Sequence, residues 1–114
     1  MKDKEATPNV ILLIQQRACA GSYRVRSHAI RHMIEEGFDE NQLLEALTGN
    51  LQLLEEYAEE ARYLVLGRFH FTPRTSSPLH IVCDISHDEI IDVVTAYIPQ
   101  RPWWSTPVQR GKSQ

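Results

Sequence analysis

Hydrophobic positions repeat with a helical period through the first half of the chain and with a strand period through the second. Val10, Ile11, Ile14 and Ala18 share one helical face. Thr7-Pro8 ahead of them reads as an N-cap followed by Pro at the first helical position, and Gly21 reads as the stop. Tyr23-Arg24-Val25-Arg26 alternates briefly and predicts a short edge strand. Ser27 reads as the cap of a second helix running to Gly37, with Ala29, Ile30, Met33 and Ile34 on one face and His28, Arg31, His32 and Glu35 on the other. Asp39 reads as the cap of a third, with Leu43, Leu44 and Leu47 inward and an end at Gly49-Asn50.

After residue 50 the period falls to two. Leu51 to Tyr57, Arg62 to Phe71, Pro78 to Ile85 and Glu89 to Ile98 are rich in aliphatic and aromatic residues and are separated by short turn clusters. Connections this short make successive strands antiparallel neighbours. The expected architecture is α+β, with N-terminal helices packed on one face of a roughly four-stranded antiparallel sheet. One domain is expected over residues 8–104, followed by a loose tail over 105–114 that contains Pro107, Gly111 and Ser113.

A length of 114 residues leaves room for one such domain. The longest apolar run, Val10 to Ile14, stops at Gln15-Gln16-Arg17, so no membrane span is expected. Asp3 and Glu5 argue against a signal peptide. Cys19 and Cys83 lie far apart with no CxxC, which excludes a four-cysteine zinc module and predicts two buried, reduced thiols. A cytoplasmic address follows as the expectation. Twelve Lys and Arg against fifteen Asp and Glu give a net charge of −3, so long-range capture of nucleic acid is weak. From Ile98 onward, however, Arg101, Arg110 and Lys112 face no acidic residue, which leaves a local phosphate contact open.

Against this background a few side chains carry chemistry. His28 and His32 stand four apart on one helix face, a spacing that lets two imidazoles share a metal. The glutamate of HExxH and a third ligand fixed by local sequence are both missing, so no metal and no cofactor is expected; the alternatives are solvated histidines, or a phosphate or acid–base role for His28 with Arg31. Alternation places His80 with Val82 and Asp84 on the sheet face opposite Leu79, Ile81 and Cys83. There His80 is either a satisfied semi-buried residue or, on an open cleft, a general acid or base. Arg68 shares a face with Arg62, Leu64, Leu66 and His70, and Tyr97 one with Ile91, Val93 and Thr95. Arg68 suits bidentate phosphate binding, with a phenol beside it. Trp103 and Trp104 read as a sheet-edge packing element or a base-stacking platform. No P-loop, dinucleotide fingerprint or nucleophile elbow is present.

Taken in order, Tyr23-Arg24-Val25, Ser27-His28-Ala29, Arg31-His32-Met33, Gly37-Phe38-Asp39-Glu40, Leu44 to Leu47, Leu54 to Tyr57, Tyr63 to Gly67, Pro78 to Val82 and Thr95-Ala96-Tyr97 form a series. This series resembles a family of small prokaryotic domains of unknown function within the RelE/ParE-like toxin superfamily, relatives of BrnT and MqsR. The resemblance implies a RelE-like fold and the toxin role in a type II toxin–antitoxin pair, beside a YgiT/MqsA-type zinc-finger antitoxin. It also implies metal-independent endoribonuclease chemistry, in which a 2′-hydroxyl attacks the adjacent phosphate. On this resemblance His28, His80 and Tyr97 form the catalytic set; Arg31 falls in the pattern as a phosphate ligand, and Arg68 joins it on chemical grounds. Glu35-Glu36 stands before Gly37 where many members carry an Arg. That departure and the acidic net charge motivate the alternative of a non-catalytic module that binds a partner protein on the same scaffold.

Overall fold

A computed structural model of the chain describes residues 2–100 and 104–110, with side chains for 10–100 and 106–108. The first helix, α1, runs Lys2–Cys19. It begins earlier than the Thr7-Pro8 signal because the Lys, Asp, Glu and Ala residues ahead of Pro8 are compatible with helix. Strand β1 is Tyr23–Val25 and helix α2 is Ser27–Glu36. Arg26, not Ser27, is the N-cap of α2, and no side chain caps it. Gly37 ends α2 at φ 84°, a left-handed conformation suited to glycine, and its N–H donates to the Met33 carbonyl. Helix α3, Glu40–Thr48, starts with a complete capping box between Asp39 and Gln42.

Four longer strands follow: β2 Gln52–Tyr57, β3 Arg62–Thr72, β4 Thr75–Asp84 and β5 Ile91–Tyr97, with a 3-10 turn at Ala58–Glu60. They pair antiparallel in sequence order, as the short turns predict. The sheet nevertheless has five strands and is mixed, in the order β1-β5-β4-β3-β2, because β1 adds to β5 in parallel. A three-residue strand does not reveal its partner in sequence, and here helices α2 and α3 with the whole meander form the crossover. Residues 104–110, expected to straddle the domain end and the tail, contain a two-stranded hairpin of β6 Trp104–Thr106 and β7 Gln109–Arg110. Trp103 lies outside the described residues.

One sheet face is buried against the helices. Ile14, Ala18, Ala29, Met33, Leu43, Ala46 and Leu47 from the helices meet Val65, Phe69, Leu79, Ile81, Cys83, Val93 and Ala96. Each large apolar side chain in this layer contributes roughly 1.5–3 kcal/mol through burial. The Phe38 and Phe69 rings stack at 5.3 Å between centroids. Only Ala29 and Met33 of α2 enter this core. Ile30 and Ile34, expected beside them, are 45% and 74% exposed. The contact stripe of a short helix lying on β5 is one residue wide, and positions 30 and 34 lie about 100° round from it. Cys83 is buried, its thiol pushed up to about 12 by desolvation. Cys19, at the end of α1, is exposed, contrary to the expectation. Gly67 lies where α3 crosses β3, and a Cβ there would stand 2.8 Å from the Ala46 carbonyl oxygen.

Candidate functional site

The face turned away from the helices carries the polar chemistry. Strand alternation delivers Arg62, Leu64, Leu66 and Arg68 of β3 to it, together with His80, Val82 and Asp84 of β4, whereas His70 near the end of β3 pairs with Glu45 of α3 at 2.5 Å. On β5 the alternation is broken. Val82 pairs with Thr95 but Cys83 pairs with Val93, so Val94 is an extra residue in a bulge. Tyr97 and Thr95 therefore share the polar face, while Val93 and Ile91 turn into the core, which corrects the single face expected for all four.

This bulge brings His80 and Tyr97 into register. Their rings meet edge to face at 5.2 Å, and His80 Nδ1 lies 3.3 Å from the Tyr97 hydroxyl. His80 Nε2 lies 2.6 Å from the Pro107 carbonyl oxygen. The carbonyl can only accept, so Nε2 carries the proton and Nδ1 accepts from the phenol. With 0% exposure and both ring nitrogens engaged, His80 is fully satisfied. Among the described residues, Pro107 in the turn of the β6–β7 hairpin lies against it. Arg68 lies further along the same face, at the level of Pro78, with Nη1 donating to Ser76 Oγ at 3.4 Å.

His28 and Arg31 stand elsewhere. Both are exposed on α2, whose Ala29 and Met33 pack against the other face of the sheet. The sheet thus separates them from His80, Tyr97 and Arg68. The His28 and His32 rings lie 4.8 Å apart, and His32 Nδ1 is 3.8 Å from Glu36 Oε2. Among the described residues no group of three or more His, Cys, Asp or Glu side chains is placed to hold a metal ion.

A second polar cluster escaped the sequence reading. Arg24, Asp92, Asp84 and Arg62 are register partners in succession across β1, β5, β4 and β3. Arg24 grips Asp92 with two bonds, Nε to Oδ1 at 2.6 Å and Nη2 to Oδ2 at 3.1 Å. Arg26 Nη2 reaches Asp92 at 3.0 Å and Asp84 at 4.0 Å, and Arg62 Nε reaches Asp84 at 3.3 Å. His87 Nε2, from the β4–β5 loop, is 3.5 Å from Asp92 Oδ2. That loop is tied to α1 by Arg17, which donates to the carbonyls of His87 and Asp88 at 3.3 and 2.5 Å. The Arg24 hydrogen bonds hold Asp92 down at about 2, with burial opposing and Arg26 assisting. Burial pushes Asp84 upward, but hydrogen bonds from Ser86 and Arg62 outweigh it and leave the carboxyl below its usual range. The available signal was an Asp between Ile91 and Val93, which calls for a cationic neighbour, and the paired arginines at 24 and 26.

Fold and site together define a small α+β domain in which a helix-backed mixed sheet offers one polar face. Residues 25–98 match the family described as domain of unknown function (DUF4258), and the chain belongs to that family. The match takes in α2, α3 and the meander, and stops short of both Arg24 and the hairpin over His80. No curated protein and no solved structure matches the chain. Among the described residues no helix is long and apolar enough to cross a membrane.

Proposed function

We propose that this domain has a RelE-like fold, is the toxin component of a type II toxin–antitoxin pair, and cleaves RNA without a metal. The observation that carries the reading is the His80–Tyr97 pair on the sheet face free of helices. Cleavage through the 2′-hydroxyl forms a bond from that oxygen to phosphorus and expels the 5′-oxygen, which leaves with a proton. An imidazole that hydrogen-bonds through both ring nitrogens suits the transfer of these protons, and Arg68 on the same face suits the phosphate charge. His28 and Arg31, on the far side of the sheet, would need a separate route to the same RNA, so His80 is the residue on which the reading rests. Because Nε2 is held by the Pro107 carbonyl, His80 works only when the β6–β7 hairpin lifts. The cognate antitoxin, a zinc-finger protein by the resemblance, is the natural partner for the sheet face opposite the helices.

Expression without a partner gene should arrest growth, and His80→Ala should relieve the arrest. Full viability on strong induction, with intact RNA in an extract, would sink the enzyme. A second reading, a non-catalytic module for a partner protein, is favoured by the complete burial of His80 and the engagement of both its nitrogens. A neighbouring gene for a small CxxC-containing protein, with toxicity abolished by His80→Ala, would separate the first reading from the second.

A further inference from the structure

Asp84 and Asp92 face one another directly across β4 and β5. Two carboxylates in that position repel, so the sheet tolerates them only with cations close by. Three arginines supply more charge than neutrality needs: Arg24, Arg26 and Arg62 against two aspartates leave one net positive charge before His87 is counted.

The layering is asymmetric. The carboxylates lie underneath, with side chains 0% and 8% exposed, while Arg24, Arg26, Arg62 and His87 are 56%, 40%, 34% and 50% exposed. Buried acceptors thus fix the guanidinium stems, and the cationic side is presented to solvent. Among the described residues Arg62 uses only Nε toward Asp84, so both of its Nη groups are available to a ligand. Three strand spacings of about 4.8 Å separate Arg24 from Arg62, roughly 14 Å in all. That span exceeds one phosphate and suits a chain of them. Tyr57, register partner of Arg62 and 40% exposed, ends the row with an aromatic ring whose hydroxyl donates to the Glu55 carboxylate. Aromatic rings beside a basic track are how single strands are held without sequence readout.

We propose that the Arg24–Arg26–Arg62–His87 row binds the phosphodiester backbone of a single-stranded nucleic acid, extending along the sheet the substrate path proposed for His80. It rests on the reading of this face as the nucleic-acid face, but binding here needs no cleavage. Aromatic contact beside the row favours nucleic acid over an acidic peptide, which carries no bases to stack.

The test uses the full chain and a fluorescein-labelled single-stranded DNA 12-mer, which lacks the 2′-hydroxyl and so reports binding alone. Anisotropy titrations from 50 to 200 mM salt should show affinity falling about 20-fold, the response of about three single-strand phosphate contacts. Arg62→Gln and Arg26→Gln should each weaken binding several-fold and reduce the salt slope by about 0.7. Arg74→Gln, on the β3–β4 turn away from the row, should change neither. If a row variant fails to fold, the wild-type arginine Nε resonances of Arg24, Arg26 and Arg62 supply the answer, since they must shift on titration with the 12-mer. Unchanged affinity and slope in both row variants, or unmoved resonances, would overturn the site. Equal competition by a glutamate 10-mer would overturn the nucleic-acid assignment. Binding at the row in a non-toxic protein would remove only the enzyme, whereas toxicity without binding at the row would remove only this site.

Discussion

Gly67→Ala tests how closely α3 sits on the sheet. Gly67 is in the middle of β3 with ordinary extended backbone, so conformation alone permits alanine there. The obstacle is proximity. The new Cβ would lie 2.8 Å from the Ala46 carbonyl oxygen, 3.0 Å from the Ala46 Cβ and 3.1 Å from its carbonyl carbon. Carbon contacts are comfortable at about 3.5–4.0 Å, so α3 must move outward by roughly half an ångström or more. Two of the three contacts are backbone atoms, which cannot rotate away. Overpacking of this kind costs about 1–3 kcal/mol, offset by about 0.4–1 kcal/mol from the stiffer unfolded chain. A net loss near 1–2 kcal/mol corresponds to a fall in Tm of roughly 4–16 °C for a domain of this size. Thermal unfolding followed by circular dichroism and urea titration would measure it. Adding Ala46→Gly should restore only part of the loss, because the nearest atom is the carbonyl oxygen. A variant melting within about 1 °C of the parent would refute the packing argument.

Two further outcomes follow from the same structure. Asp92 is depressed to about 2 in the fold, so its contribution is fully present above pH 4 and is lost as pH falls toward 2. The loss should be up to about 2 kcal/mol, reduced by solvent screening at the half-exposed arginines. Urea midpoints at pH 7, 4 and 2.5 should therefore steepen downward in the parent and flatten in Asp92→Asn; parallel curves would show that the Arg24 bonds do not set the acid limb. Asp39→Ala removes the capping box of α3 and should lower stability by about 1 kcal/mol, read as a shift in urea midpoint with unchanged slope.

Period and caps made the elements legible. Asp39 with Gln42, Gly37, and the alternation of β3 and β4 each act within a few residues, and such local physics is written in order along the chain. What depends on register was hidden. Nothing near Tyr97 signals the Val94 bulge that turns it onto the face of His80. His80 was legible as a residue on the helix-free face, but its cover was not, because residues 104–110 lack the length and alternation of a strand. His28 and Arg31 shared a pattern with His80 along the chain, yet the sheet between them is a barrier that only tertiary structure reveals. The arginine–aspartate row was concealed for the same reason: its members come from four strands, and no window of sequence contains them together.

The position of β1 at the edge of the sheet gives the fold an order of assembly. Strands β2 to β5 join their neighbours through short turns, whereas the Arg24–Asp92 pairing spans 68 residues. Loop-closure entropy rises with the length enclosed, so the meander gathers early and β1 docks late. Before that docking, Asp84 and Asp92 face each other with Arg62 alone among the three arginines in place. The strand that closes the sheet therefore also delivers the cations that offset the repulsion between Asp84 and Asp92, so strand pairing and charge compensation arrive in one step.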